Sequence, residues 1–166
     1  MKFLKKIFVL LIATLSLFSI CVFTGCNDAL SGTMTLVIEN PNVEENVVLT
    51  VDLSSFKKGD SVFTVLEAYE NSGDIYMEVQ TGAYGAYITE IGKYGDDGQK
   101  IVIIKAQDTA TSSIFVSFYT TVESDTAFAD TLTYSGVTVG SSSFGASQMS
   151  IENGAIIYIT EGVYYV

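Results

Sequence analysis

Asp60-Ser61-Val62-Phe63-Thr64-Val65-Leu66-Glu67-Ala68-Tyr69-Glu70-Asn71-Ser72-Gly73 is the one stretch beyond the N-terminal apolar run with a helical period. Val62, Phe63, Leu66 and Tyr69 recur at the three- and four-residue spacing that stacks side chains on one helix face, while Thr64, Glu67 and Asn71 fall opposite. Asp60 is placed to cap the first turn, and Gly73 suits the left-handed residue that ends many helices. The segment has about three turns, too few to persist alone in water. It therefore has to lay its apolar face on a sheet supplied by the rest of the chain.

The flanking sequence supplies strands. Thr35–Glu39 and Val47–Leu53 are β-rich runs joined by Asn40-Pro41-Asn42, the pattern of a first hairpin. After the helix come Ile75–Val79 and then Thr81–Ile91, in which Gly82 and Gly85 surround Tyr84 before a strand begins. Gly92–Gln99 reads as a second turn cluster, and Ile101–Ile104 as a buried strand. Ile114–Thr120, Thr131–Tyr134, Gly136–Gly140 and Ala155–Thr160 follow, with period-2 alternation clearest in the first and last. One helix among many short strands predicts an α+β domain, a mostly antiparallel sheet with β-hairpin extensions around one short helix.

The N-terminal end reads as an address. Lys2, Lys5 and Lys6 precede an apolar run from Ile7 to about Val22, and Phe23-Thr24-Gly25-Cys26 has the form of a lipobox. The expectation is a signal peptide over 1–25, lipidation of the Cys26 thiol, a short linker over 26–33 and a β-rich domain over 34–166. Seven residues from Asn27 to Thr33 reach at most roughly 25 Å, so the domain is expected close to the extracytoplasmic face of the cell membrane. From Cys26 onward there are five lysines against 19 acidic residues, with no Arg and no His. Nucleic acid is a poor partner for such a surface.

Ionisable groups suited to catalysis are scarce. Without His there is no base titrating near neutrality, and a lipidated Cys26 leaves no thiol nucleophile or disulfide in the domain. Asp96-Asp97 in a Gly-flanked turn lacks calcium-loop spacing, and Ser54-Ser55-Phe56-Lys57-Lys58 lacks the partner motifs of a Ser-Lys hydrolase. Glu123, Asp125 and Asp130 fall in a polar loop and read as solvated. A non-enzyme is expected.

Aromatic residues carry the binding chemistry instead. Tyr84, Tyr87, Phe118, Tyr119 and Phe144 offer rigid amphipathic faces for a flat ligand, and Thr120 with the amides of Gly85 and Gly145 can hydrogen-bond its periphery. Aromatics on strands also serve core packing, and about half of these five are expected to do only that.

Gly59–Ala68, Tyr84–Ile91, Phe115–Thr120, Gly136-Val137-Thr138 and Gly145 stand in an order that resembles the landmarks of the DUF4430 family, similar to the C-terminal β domain of transcobalamin and intrinsic factor. The resemblance implies a β-grasp-like fold and binding of cobalamin or another corrinoid; no cofactor is otherwise expected, and the short tether places the domain to meet an integral membrane transporter as recipient. The chain has no Trp, and Val116 stands where the family segment often carries one. The other reading of the same residues is a non-catalytic structural or protein-interaction module at the cell surface, using exposed strand edges.

Overall fold

A computed structural model describes residues 28–82 and 85–165. Ten strands and one α-helix follow in order: β1 (Thr33–Glu39), β2 (Asn46–Asp52), α1 (Val62–Ser72), β3 (Tyr76–Gly82), β4 (Gly85–Tyr94), β5 (Lys100–Lys105), β6 (Gln107–Asp108), β7 (Ser112–Thr120), β8 (Thr126–Tyr134), β9 (Val137–Ser142) and β10 (Ile156–Tyr165). The α+β class holds.

Two sheets form. The larger runs β2-β1-β10-β7-β9-β8, with β6 added beside β7; the smaller runs β3-β4-β5. β1 and β10 pair in parallel, from Thr35 opposite Ile156 to Ile38 opposite Ile159, and the other described pairings are antiparallel. The first hairpin forms where expected, Val37 facing Val48 across β1 and β2.

Helix α1 is shorter at its start than its pattern predicts, and Asp60 is not its cap. Ser61 is: its extended backbone sets its Oγ 3.4 Å from the Thr64 amide, while Thr64 Oγ1 accepts from the Ser61 N–H. Asp60 Oδ2 instead accepts from the Lys57 amide at 2.9 Å, closing the preceding turn. Gly73 ends the helix in the left-handed region, φ 85°, its N–H directed to the Glu70 and Tyr69 carbonyls. The buried stripe is wider than predicted. Val62, Val65 and Leu66 are fully enclosed, whereas Phe63 and Tyr69 pack at its margins. Val65 is drawn in because α1 meets a core fed by both sheets, including Met34 and Leu36 of β1 and Ile91, Ile103 and Ile104 of the smaller sheet.

Several boundaries shift, among them the start of β8 at Thr126. Gly92-Lys93-Tyr94 extends β4 instead of turning, because Gly92 lacks the Cβ that would collide with the Ile101 carbonyl, and the turn contracts to Gly95–Gln99. β10 continues five residues past Thr160, paired with β7 as far as Tyr165 opposite Ser112. Asp28–Leu30, expected as linker, are fastened to the fold: the Asp28 carbonyl accepts from Lys58 N–H at 2.7 Å and Leu30 N–H donates to Phe56 O at 2.9 Å.

A smaller cluster of Val37, Val139 and Tyr158, flanked by Tyr119, Leu132 and Tyr134, occupies the other face of the large sheet. Among the described residues no helix is long and apolar enough to cross a membrane.

Candidate ligand-binding cleft

The cleft begins as a break in a strand edge. β7 pairs with β6 at Ser113 and Ile114 and with β9 at Tyr119 and Thr120. Between those contacts, Phe115 to Phe118 have, among the described residues, a strand partner only in β10. Antiparallel strands direct successive backbone N–H and C=O groups to alternate sides, so part of this run turns its polar groups toward the open side.

Three segments close around the break. β4 brings Ala86, Tyr87 and Ile88; the end of β9 and the loop after it bring Ser141, Ser142, Phe144, Gly145 and Ala146. Together with Phe115–Phe118 they enclose a cleft of about 250 Å³. Phe118 packs on the main core, while Tyr87 and Phe144 keep 46% and 41% of their surface exposed and form a rim.

The loop is held from below by α1. Val62 and Phe63 amides donate to the carbonyls of Met149 and Ala146 at 3.1 and 3.0 Å, spending donors that a helix N-terminus otherwise leaves free. Asp125 fastens the same loop. It is buried, against the solvated role expected for it, and its Oδ2 accepts from Ser150 N–H at 2.5 Å while Oδ1 accepts from the Ser150 and Ser124 hydroxyls. A polar neighbourhood in sequence hid this role, because its partner lies 25 residues on.

Among the described residues the cleft lining holds no carboxylate and no ammonium group. The phenol of Tyr87 in this lining has its pKa raised, chiefly by burial and secondarily by the charge of Asp108, so it stays neutral at physiological pH. Ser117, Ser141 and Ser142 supply hydroxyls. Such a lining suits an uncharged, largely apolar group with a polar edge.

No family model and no curated protein matches this chain. A solved structure is similar to it. That structure is the crystal structure of a protein from Ruminococcus gnavus ATCC 29149 named a "putative metal binding protein", 16% identical, with 81% of this chain and 100% of that chain covered and a TM-score of 0.47. Among the described residues no three of His, Cys, Asp and Glu come together in a geometry that could hold a metal ion.

Of the residues picked from the sequence, Tyr87, Phe118, Phe144 and Gly145 meet in the cleft. Tyr119 does not. As the neighbour of Phe118 on a strand it points to the opposite face, where its hydroxyl donates to Asp130 Oδ2 at 2.8 Å. Thr120 is fully buried, and its Oγ1 accepts from the Val122 amide at 3.0 Å, so it has no surface to offer a ligand. Gly85 pairs with Gly82 at the end of the β3–β4 hairpin, next to Ala86 of the cleft lining. Tyr84 and Cys26 lie outside the described residues. Phe115, Ser141 and Ser142 were missed by the sequence reading; the break in the β7 edge that gathers them exists only in three dimensions.

Proposed function

We propose that this chain is a non-catalytic, ligand-binding lipoprotein domain, anchored through Cys26 at the extracytoplasmic face of the membrane. Its ligand is a flat small molecule, cobalamin or another corrinoid, which it delivers to an integral membrane transporter. The observation that carries this reading is the convergence of Tyr87, Phe118 and Phe144 on a charge-free cleft beside an unpaired strand edge. Aromatic faces cover a flat ring, and the hydroxyls and backbone groups at the break can meet peripheral amides. At about 250 Å³ the cleft is smaller than pockets that engulf drug-sized ligands. A corrinoid would insert one edge or substituent and rest the remainder on the exposed rings of Tyr87 and Phe144.

The fold is, on the same reading, β-grasp-like. A first hairpin, a crossing helix and a last strand parallel to the first at the sheet centre support it, with β3-β4-β5 as an inserted extension. The DUF4430 resemblance supplies the ligand class.

Titration of the purified chain from Asn27 onward with cobalamin tests the reading through the corrin absorbance. Saturable change is expected, weakened by Phe118→Ala; no change at high micromolar concentration overturns it. The same open edge of β7 favours a second reading, addition of a strand from a protein partner. Crosslinking in intact cells that captures a protein partner without any dependence on corrinoid supports that alternative.

A further inference from the structure

Gly162 stands on β10 directly opposite Phe115 of β7. It is not among the glycines with positive φ, so its local conformation makes no demand for glycine. The demand is for space. A Cβ at this position would lie 2.5 Å from Cε2, 2.6 Å from Cζ and 3.0 Å from Cδ2 of the Phe115 ring, closer than carbon atoms approach. The ring fills the room that a side chain on Gly162 would take.

Phe115 also lines the cleft, and on its other side β7 has no strand partner. Phe115 is only partly buried, and a ring pushed off β10 meets the break and the cleft on the side of β7 away from β10. We propose that Gly162 is a positioning residue that sets the size of the cleft: by parking Phe115 over β10, it fixes how large an uncharged ring the cleft admits. This rests on the cleft being the ligand site, as proposed above, and not on the ligand being a corrinoid.

The test uses the full chain in lipid nanodiscs, with empty discs as reference, and two uncharged probes: phenol with one ring, and 2-naphthol with two fused rings. The wild type is expected to take both. Gly162→Ala should keep phenol while binding 2-naphthol about tenfold more weakly, a difference of about 1.4 kcal/mol. The double variant Gly162→Ala with Phe115→Ala should recover 2-naphthol, which general damage to the sheet would not do. Phe115→Leu, which leaves β10 untouched, should strengthen 2-naphthol and guards against a Gly162 variant that fails to fold. Equal weakening of both probes, unchanged 2-naphthol binding in Gly162→Ala, or a wild type that takes neither probe overturns the proposal. If the probe pattern holds and cobalamin does not bind, the named ligand falls and the size gate stands.

Discussion

The hydroxyl of Tyr76 donates to Oε1 of Glu90 at 3.2 Å, and both residues are buried, at 1% and 6% exposure. The other carboxylate oxygen meets Lys105 Nζ at 2.6 Å, and Lys100 lies 4.6 Å from the centre of the Tyr76 ring. This group ties β3, β4 and β5 together beneath the smaller sheet. The Lys105 hydrogen bond is the main cause that holds the Glu90 carboxyl below its usual pKa; the Tyr76 bond adds to it, and burial opposes both.

Glu90→Gln should cost about 1–2 kcal/mol, because a charge-assisted bond becomes a neutral one while Lys105 remains free to turn to solvent. The lowered carboxyl pKa gives the sign of the pH dependence. Its contribution is complete above the unfolded carboxylate pKa and is lost as pH falls through the folded one. Chemical denaturation across the acid range should therefore show wild-type stability falling more steeply than that of Glu90→Gln.

Alkaline pH should also destabilise the fold. Burial is the largest cause raising the pKa of Tyr69, Tyr76, Tyr87, Tyr119 and Tyr158, and Glu39 beside Tyr158 helps push it up to about 12. A raised phenol pKa means stability complete below the unfolded value near 10 and lost as pH rises toward the folded values. Tyrosinate absorbance followed with circular dichroism should show the buried Tyr76 and Tyr158 ionising only as the chain unfolds; ionisation of both in a still-folded chain would contradict this.

Leu66 is fully enclosed between α1 and the core, so Leu66→Ala should cost roughly 2–5 kcal/mol. A thermal melt reads it directly.

Ser61 and Asp60 separate two roles that adjoin in sequence. Ser61→Ala removes the helix cap and should cost about 0.5–2 kcal/mol. Asp60→Ala leaves the capping box in place and loses only an exposed turn bond, so its cost should be smaller. Urea midpoints of the two variants give the order.

Asp125→Ala would strand the Ser150 amide and loosen the loop that carries Phe144 and Gly145. The expected cost is about 1–3 kcal/mol, with faster amide exchange along Ser143–Ile151 than in β1 or β10. Equal acceleration in both regions would contradict a local role.

The helix and most strands are legible because they depend on local spacing. Val62, Leu66 and the Gly73 stop need only a 3.6-residue period and a left-handed glycine, and the alternation of Ile114–Thr120 needs only the pleat. The cap was misplaced by one residue because Asp and Ser both suit an N-cap, and the choice turned on the Lys57 amide, which took Asp60 into the preceding turn. Three of the four described aromatics in the set were legible in the same limited sense. Phe118 and Tyr119 have the same chemistry and adjacent positions; alternation sends them to opposite faces, and only the register shows which face carries a cleft.

By itself, then, the sequence determined the α+β class, the single scaffold helix, the first hairpin and the absence of His, all properties of composition or of neighbours a few residues apart. Tertiary structure decided where β7 loses its second strand partner, which side of that strand faces the gap, and that Asp125 is a buried clamp and Gly162 the seat of the Phe115 ring. The clamp and the seat depend on contacts between residues 25 and 47 positions apart, whose register is fixed by the packing of two sheets against one helix and leaves no periodic trace in the chain.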